Sequence, residues 1–100
     1  MSRHLVPFEP AFAGRYWDNE REIDWVILDR NRTHAVAVEV KWTRTPEHAS
    51  RLAEELRAKV RAVPALSQCK ATYVLVSRAG FKNAKDATPC VMVSLKDEKC

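Results

Sequence analysis

Residues Ile23 to Leu28 are apolar on both faces of an extended chain, broken only by Asp24. This pattern predicts an interior strand. Asp29-Arg30-Asn31-Arg32-Thr33 then supplies a turn, and His34 to Trp42 reads as the next strand. Period two puts Val36, Val38, Val40 and Trp42 on one face of it and Ala35, Ala37, Glu39 and Lys41 on the other. From Thr45 the period changes. Ala49, Leu52, Ala53, Leu56, Val60 and Val63 recur as one apolar stripe, which predicts an amphipathic helix. Thr45 is the expected N-cap, with Pro46 at the first helical position and Glu47 at the positive end of the dipole. Pro64 marks its end. Glu47 with Arg51 and Glu55 with Lys59 are expected as i,i+4 ion pairs on the outer face.

Thr72 to Ser77 predicts another buried strand, Ala79-Gly80 a turn, Phe81 to Ala87 a short helical piece, and Val91 to Leu95 a last strand. Arg15-Tyr16-Trp17 reads as a short strand before the Asp18-Asn19 turn. Residues 1–14, with Pro7 and Pro10, read as irregular, and residues 96–100 as a frayed charged tail. A long helix between strands 34–42 and 72–77 implies a βαβ crossover, so those two strands run parallel. The expectation is one α/β domain over residues 1–100. Its mixed sheet combines an antiparallel hairpin with that crossover, and one main helix lies on a face.

Composition changes this picture little. No apolar run approaches the ~20 residues of a membrane span. The first residues, with Pro7, Glu9 and Pro10 among apolar ones, lack a signal-peptide layout, so the expected address is the cytoplasm. Cys69, Cys90 and Cys100 have no metal-site spacing and read as reduced thiols. A net charge of +4 permits a polyanionic partner without demanding one.

Charge inside the hairpin matters more. With a turn over Arg30 to Thr33, Leu28 faces Ala35, Val26 faces Ala37, and Asp24 faces Glu39. Opposed side chains share a face and lie about 4.5–5.5 Å apart at Cβ. Lys41 follows on that face, roughly 6.6 Å further along. Two adjacent carboxylates in apolar surroundings need a proton or a cation between them. Mg²⁺ suits, since it takes one or two carboxylates and completes its shell with water and phosphate. A neighbouring lysine can then orient a water or stabilise phosphate charge.

Asp24 followed by Glu39-Val40-Lys41 and an amphipathic helix resembles the PD-(D/E)xK nuclease superfamily, with its restriction-endonuclease-like fold. The fuller string is Gly14-Arg15-Tyr16-Trp17-Asp18, Glu22-Ile23-Asp24-Trp25-Val26 and Val38-Glu39-Val40-Lys41-Trp42, with the later Ser77-Arg78-Ala79-Gly80-Phe81. It is similar to the nuclease-like domain C-terminal to the ATPase module of archaeal and bacterial AAA-type ATPases. The resemblance covers roughly residues 12 to 95.

That resemblance implies a Mg²⁺ or Mn²⁺ site made by Asp24, Glu39 and the backbone carbonyl of Val40. Lys41 is then the catalytic lysine and DNA the substrate. Ile23 replaces the proline of the family's name. The family's first helix, which carries a further acidic residue, has no counterpart in the 14 residues before the Trp motif. Three expectations follow: a longer ATPase chain, a second protomer that swaps in the element, or Glu9 or Glu22 standing in. A missing helix also implies an exposed sheet face and a homodimer.

Plainer readings stand beside these. The Glu-x-Lys tripeptide also fits a solvated cross-strand ion pair. Trp17, Trp25 and Trp42 can stack bases, but core or interface packing is the expectation for them. Arg44, Arg51, Lys59 and Arg61 fit either DNA backbone contacts or a solvated face. The rival function is a catalytically inactive nucleic-acid-binding or assembly module of an AAA-type ATPase.

Overall fold

The computed structural model describes residues 6–82 and 90–95. The chain runs β1 (Phe12–Trp17), β2 (Glu22–Leu28), β3 (His34–Lys41), β4 (Glu47–His48), α1 (Ala49–Ala62), α2 (Pro64–Ser67), β5 (Lys70–Ser77), β6 (Phe81–Lys82) and β7 (Val91–Ser94). Five strands form one mixed sheet in the order β1-β2-β3-β5-β7. The first three are antiparallel neighbours, while β3, β5 and β7 run parallel. The α/β class, the hairpin and the helical crossover between parallel strands agree with the pattern of the sequence.

The core lies between this sheet and α1. The helix buries Ala49, Leu52, Ala53, Leu56 and Val60, and Val63 at its end is also buried. From the sheet come Ile23, Val26, Ala35, Ala37 and Leu75. Alanines on both sides, 35 and 37 on β3 with 49 and 53 on α1, leave room for close approach of helix and strand. Each large apolar side chain so buried contributes roughly 1.5–3 kcal/mol. The opposite sheet face is closed only at its centre. Val36 and Val74 are buried, but Trp25, Val40 and Trp42 are 45%, 39% and 64% exposed.

Several local expectations are corrected. β1 starts at Phe12, inside the stretch read as irregular. Thr45 does not cap the helix, which begins at Ala49 with His48 as N-cap and no side-chain cap bond. The reason is a long-range pairing. Glu47–His48 run parallel to Phe81–Lys82, and the Glu47 N–H donates to the Gly80 carbonyl at 3.1 Å. Gly80 sits at φ 95°, a conformation that a residue with a Cβ rarely adopts. Phe81–Lys82 is therefore extended rather than helical, and 83–87 lie outside the described residues, as do 96–100. The ion pairs expected along α1, Glu47 with Arg51 and Glu55 with Lys59, are not among those of the described residues. Lys59 turns to the sheet instead.

Candidate active-site groove

The hairpin follows the expected count. Leu28 pairs with Ala35, Val26 with Ala37, and Trp25 with Val38. The regular ladder stops there, before Asp24 and Glu39. The cause lies on the other edge of β2. Gly14 pairs with Val26, but Tyr16 pairs with Ile23, so Arg15 faces both Asp24 and Trp25. Such an irregularity shifts the phase of a strand and re-aims a side chain. Ile23 and Val26 consequently both reach the core although they are three residues apart. Asp24, between them, turns to the backbone of β3. Its Oδ2 accepts the Val40 N–H at 2.8 Å.

Glu39 is largely enclosed at this end of the hairpin, with its side chain 12% exposed. Lys59 Nζ, arriving from α1, lies 3.3 Å from its Oε1, and Lys41 Nζ lies 3.9 Å from its Oε2. Burial pushes the Glu39 carboxyl above its ordinary value and the Asp24 charge adds to that. The two ammoniums work against the shift without cancelling it. Asp24, Glu39 and Lys41 line one groove, Glu39 and Lys41 on the face that period two gave them and Asp24 re-aimed by the irregularity rather than paired opposite Glu39. Lys59, expected from the sequence as a DNA-backbone contact or a solvated charge, is the member whose place beside Glu39 the sequence did not show. Its i,i+4 spacing to Glu55 gave it an apparent partner on its own helix.

These side chains line one open groove of about 940 Å³, continued by Arg15, Glu22, Trp17 and the β1–β2 turn. Arg15 pairs with Glu22 across the two strands. In the turn, the Asp18 carboxylate accepts the Tyr16 hydroxyl at 2.6 Å and the Glu20 and Arg21 N–H groups at 2.8 Å each, which lowers its pKa to about 2. The groove therefore carries five carboxylates, at positions 18, 20, 22, 24 and 39, against four cations, at 15, 21, 41 and 59. Five against four is no basic channel. Net charge alone therefore does not draw a polyanion into it.

The tryptophans do not pack in the core. Trp17 is 67% exposed on the wall of the groove, and Trp42 stands under the Arg78 guanidinium at 5.5 Å. Arg44, Arg51 and Arg61 are exposed. Arg44 and Arg78 share a shallow depression beside Pro46. Glu22 is an edge charge paired to Arg15, and His34 lies at the hairpin turn.

Among the described residues, no group of three or more His, Cys, Asp or Glu side chains comes together in a way that could hold a metal ion. The donor set at hand is two carboxylates and the Val40 backbone. That set fits a hard cation, which draws the rest of its shell from water and phosphate. It does not fit a zinc-type site of nitrogen and sulfur ligands. None of the helices among the described residues is long and apolar enough to cross a membrane.

A family model described as archaeal and bacterial proteins of unknown function, DUF234, matches residues 1–55. This span contains β1, β2 and β3 with Asp24, Glu39 and Lys41, and ends four residues before Lys59. No curated protein and no solved structure matches the chain.

Proposed function

Since the chain belongs to the DUF234 family, which has no assigned function, we propose from the groove itself that it is a metal-dependent nuclease domain that hydrolyses phosphodiester bonds in DNA. One observation carries the proposal. Asp24, Glu39 and Lys41 converge at one open end of the hairpin, and Glu39 stays enclosed there against its own desolvation. The hairpin followed by a helical crossover supports a restriction-endonuclease-like reading of the fold.

In this reading Asp24, Glu39 and the Val40 carbonyl would hold Mg²⁺ or Mn²⁺. The cation would supply Lewis-acid charge and acidify a water. Asp24 is already positioned by its bond to the Val40 N–H, so little reorganisation is needed to present its other oxygen. Lys41, 35% exposed, can donate to the attacking water or to a phosphate oxygen. Trp17 offers a face against which a base can stack. The test is cleavage of DNA with Mg²⁺ or Mn²⁺ by the wild type, Asp24→Ala and Lys41→Ala. Loss in both variants supports the assignment, and equal activity in all three rejects it.

A second reading has its own observation. Both Glu39 oxygens already face ammonium groups, as in a closed ion-pair network. With the exposed Trp25, Val40 and Trp42 on the far sheet face, this favours an inactive assembly module, as a homodimer or attached to an AAA-type ATPase. Calorimetric titration with Mn²⁺ separates the two. Heat of binding supports the nuclease, and none at millimolar metal supports the module.

A further inference from the structure

Lys59 is the one cation in the groove that comes from the helix rather than the sheet. It lies 20 residues from Glu39 in sequence, yet it makes the closest charged contact to that carboxylate. A solvent-facing partner, Glu55, stands at i,i+4 on the same helix, the spacing at which such pairs form readily. The side chain crosses to the sheet instead. Its field also reaches Glu22 on β2 and helps to hold that carboxyl low, after the larger effect of Arg15. Lys59 thus lines the same groove as the β2 and β3 carboxylates.

We propose that Lys59 is a stand-in cation that occupies the Glu39 carboxylate of the metal-free groove, yields it to a divalent ion, and then takes up a substrate phosphate. The inference rests on the metal-dependent reading given above. Three physical points carry it. The first is that a carboxylate largely withdrawn from water calls for a neutralising charge, and the nearest ammonium supplies it. Second, a lysine is a point charge on a flexible four-carbon stem, able to change partner without moving the helix. In addition, Lys59 is 30% exposed, so it has solvent-accessible space to move into. No covalent step is involved, only an exchange of ionic partners.

The exchange makes Lys59 a positioning residue with two effects of opposite sign. It competes with the metal for Glu39, and it assists binding of the phosphate. A purely structural ion pair, clamping α1 to the sheet, would have one sign only: its loss would weaken both.

The experiment is Mn²⁺ titration by calorimetry at pH 8 for wild type, Lys59→Met and Lys59→Gln, followed by fluorescence-anisotropy binding of a short labelled DNA duplex in the presence of Ca²⁺. The expected result is Mn²⁺ binding about fivefold tighter in both variants and duplex binding weaker by about the same factor. Mn²⁺ binding by the variants alone, with none in the wild type, overturns the proposal, because Lys59 then does not yield Glu39 to the ion. Unchanged or weaker Mn²⁺ binding in the variants overturns it while leaving the metal site standing. Unchanged duplex affinity overturns the transfer to phosphate. Absence of Mn²⁺ binding in all three proteins overturns both the inference and the metal reading beneath it.

Discussion

The two ends of the β2–β3 hairpin treat their carboxylates in opposite ways. At the turn, Asp29 accepts the Thr33 N–H at 2.8 Å, the Thr33 hydroxyl at 2.9 Å and the His34 N–H at 3.1 Å, with His34 Nδ1 also 3.1 Å away. Burial pushes its pKa up, but the hydrogen bonds from His34 and Thr33 outweigh that and hold it well below the usual carboxylate range. At the open end, Glu39 receives two ammoniums and no backbone N–H among the bonds of the described residues, and its pKa goes up. Asp29 is built to be charged in the fold. Glu39 is charged at a cost. A carboxylate that organises a turn is saturated by its own backbone, whereas one kept for a ligand is left short of partners.

The sharpest way to break this comparison is to ask each end for the other's property. Lys41→Ala or Asp24→Ala should lower metal-dependent DNA cleavage roughly 100-fold or more, with the melting temperature close to that of the wild type. Asp29→Ala should do the reverse and leave cleavage near wild type. If Asp29→Ala also abolishes cleavage in a folded protein, the two ends are not independent and the contrast fails.

The next effect in size is on stability at the turn. Asp29→Asn removes a carboxylate whose folded pKa is depressed. Its contribution is fully present above the unfolded value of about 3.9 and is lost as the pH falls through the folded value. The variant should therefore melt well below wild type at neutral pH, and the gap should close on acidification below about pH 4. Thermal melts by circular dichroism at several pH values check this. A gap that does not narrow in acid would show that shape rather than charge holds the turn.

The parts of this contrast that follow period two were legible in the residues. The turn count gave the pairs Leu28 with Ala35 and Val26 with Ala37, and parity placed Glu39 and Lys41 on one side. What stayed hidden depends on neighbours distant in sequence. The irregularity opposite Arg15 has no local sign, because Asp24-Trp25 carries no glycine to announce it. Thr45-Pro46-Glu47 has the chemistry of a helix start, yet pairing with Phe81–Lys82 keeps Glu47 extended. Lys59 looked satisfied by Glu55, and only the packing of α1 on the sheet shows that Glu39 is within its reach. Local propensity sets the elements here, and the tertiary contacts choose among the partners that it leaves open.

The smallest effect is the most discriminating, and it concerns Glu39 itself. Its folded pKa is raised above the unfolded value of about 4.3. The stabilisation from a protonated Glu39 is then present below that unfolded value and lost as the pH rises through the folded one. Glutamine keeps the shape and never ionises, so it escapes the loss. Glu39→Gln should be the more stable protein at pH 7, by roughly a few degrees in melting temperature. At pH 4 the two should melt together. Lys41 and Lys59 lose a partner in this variant, but at 35% and 30% exposure water can replace it. The melts are run with a chelator, so that a bound cation does not reverse the sign. A variant less stable than wild type at pH 7 would place Glu39 with Asp29 as a structural carboxylate. A gain would mark it as a charge held against folding, as in sites where stability is given up for chemistry.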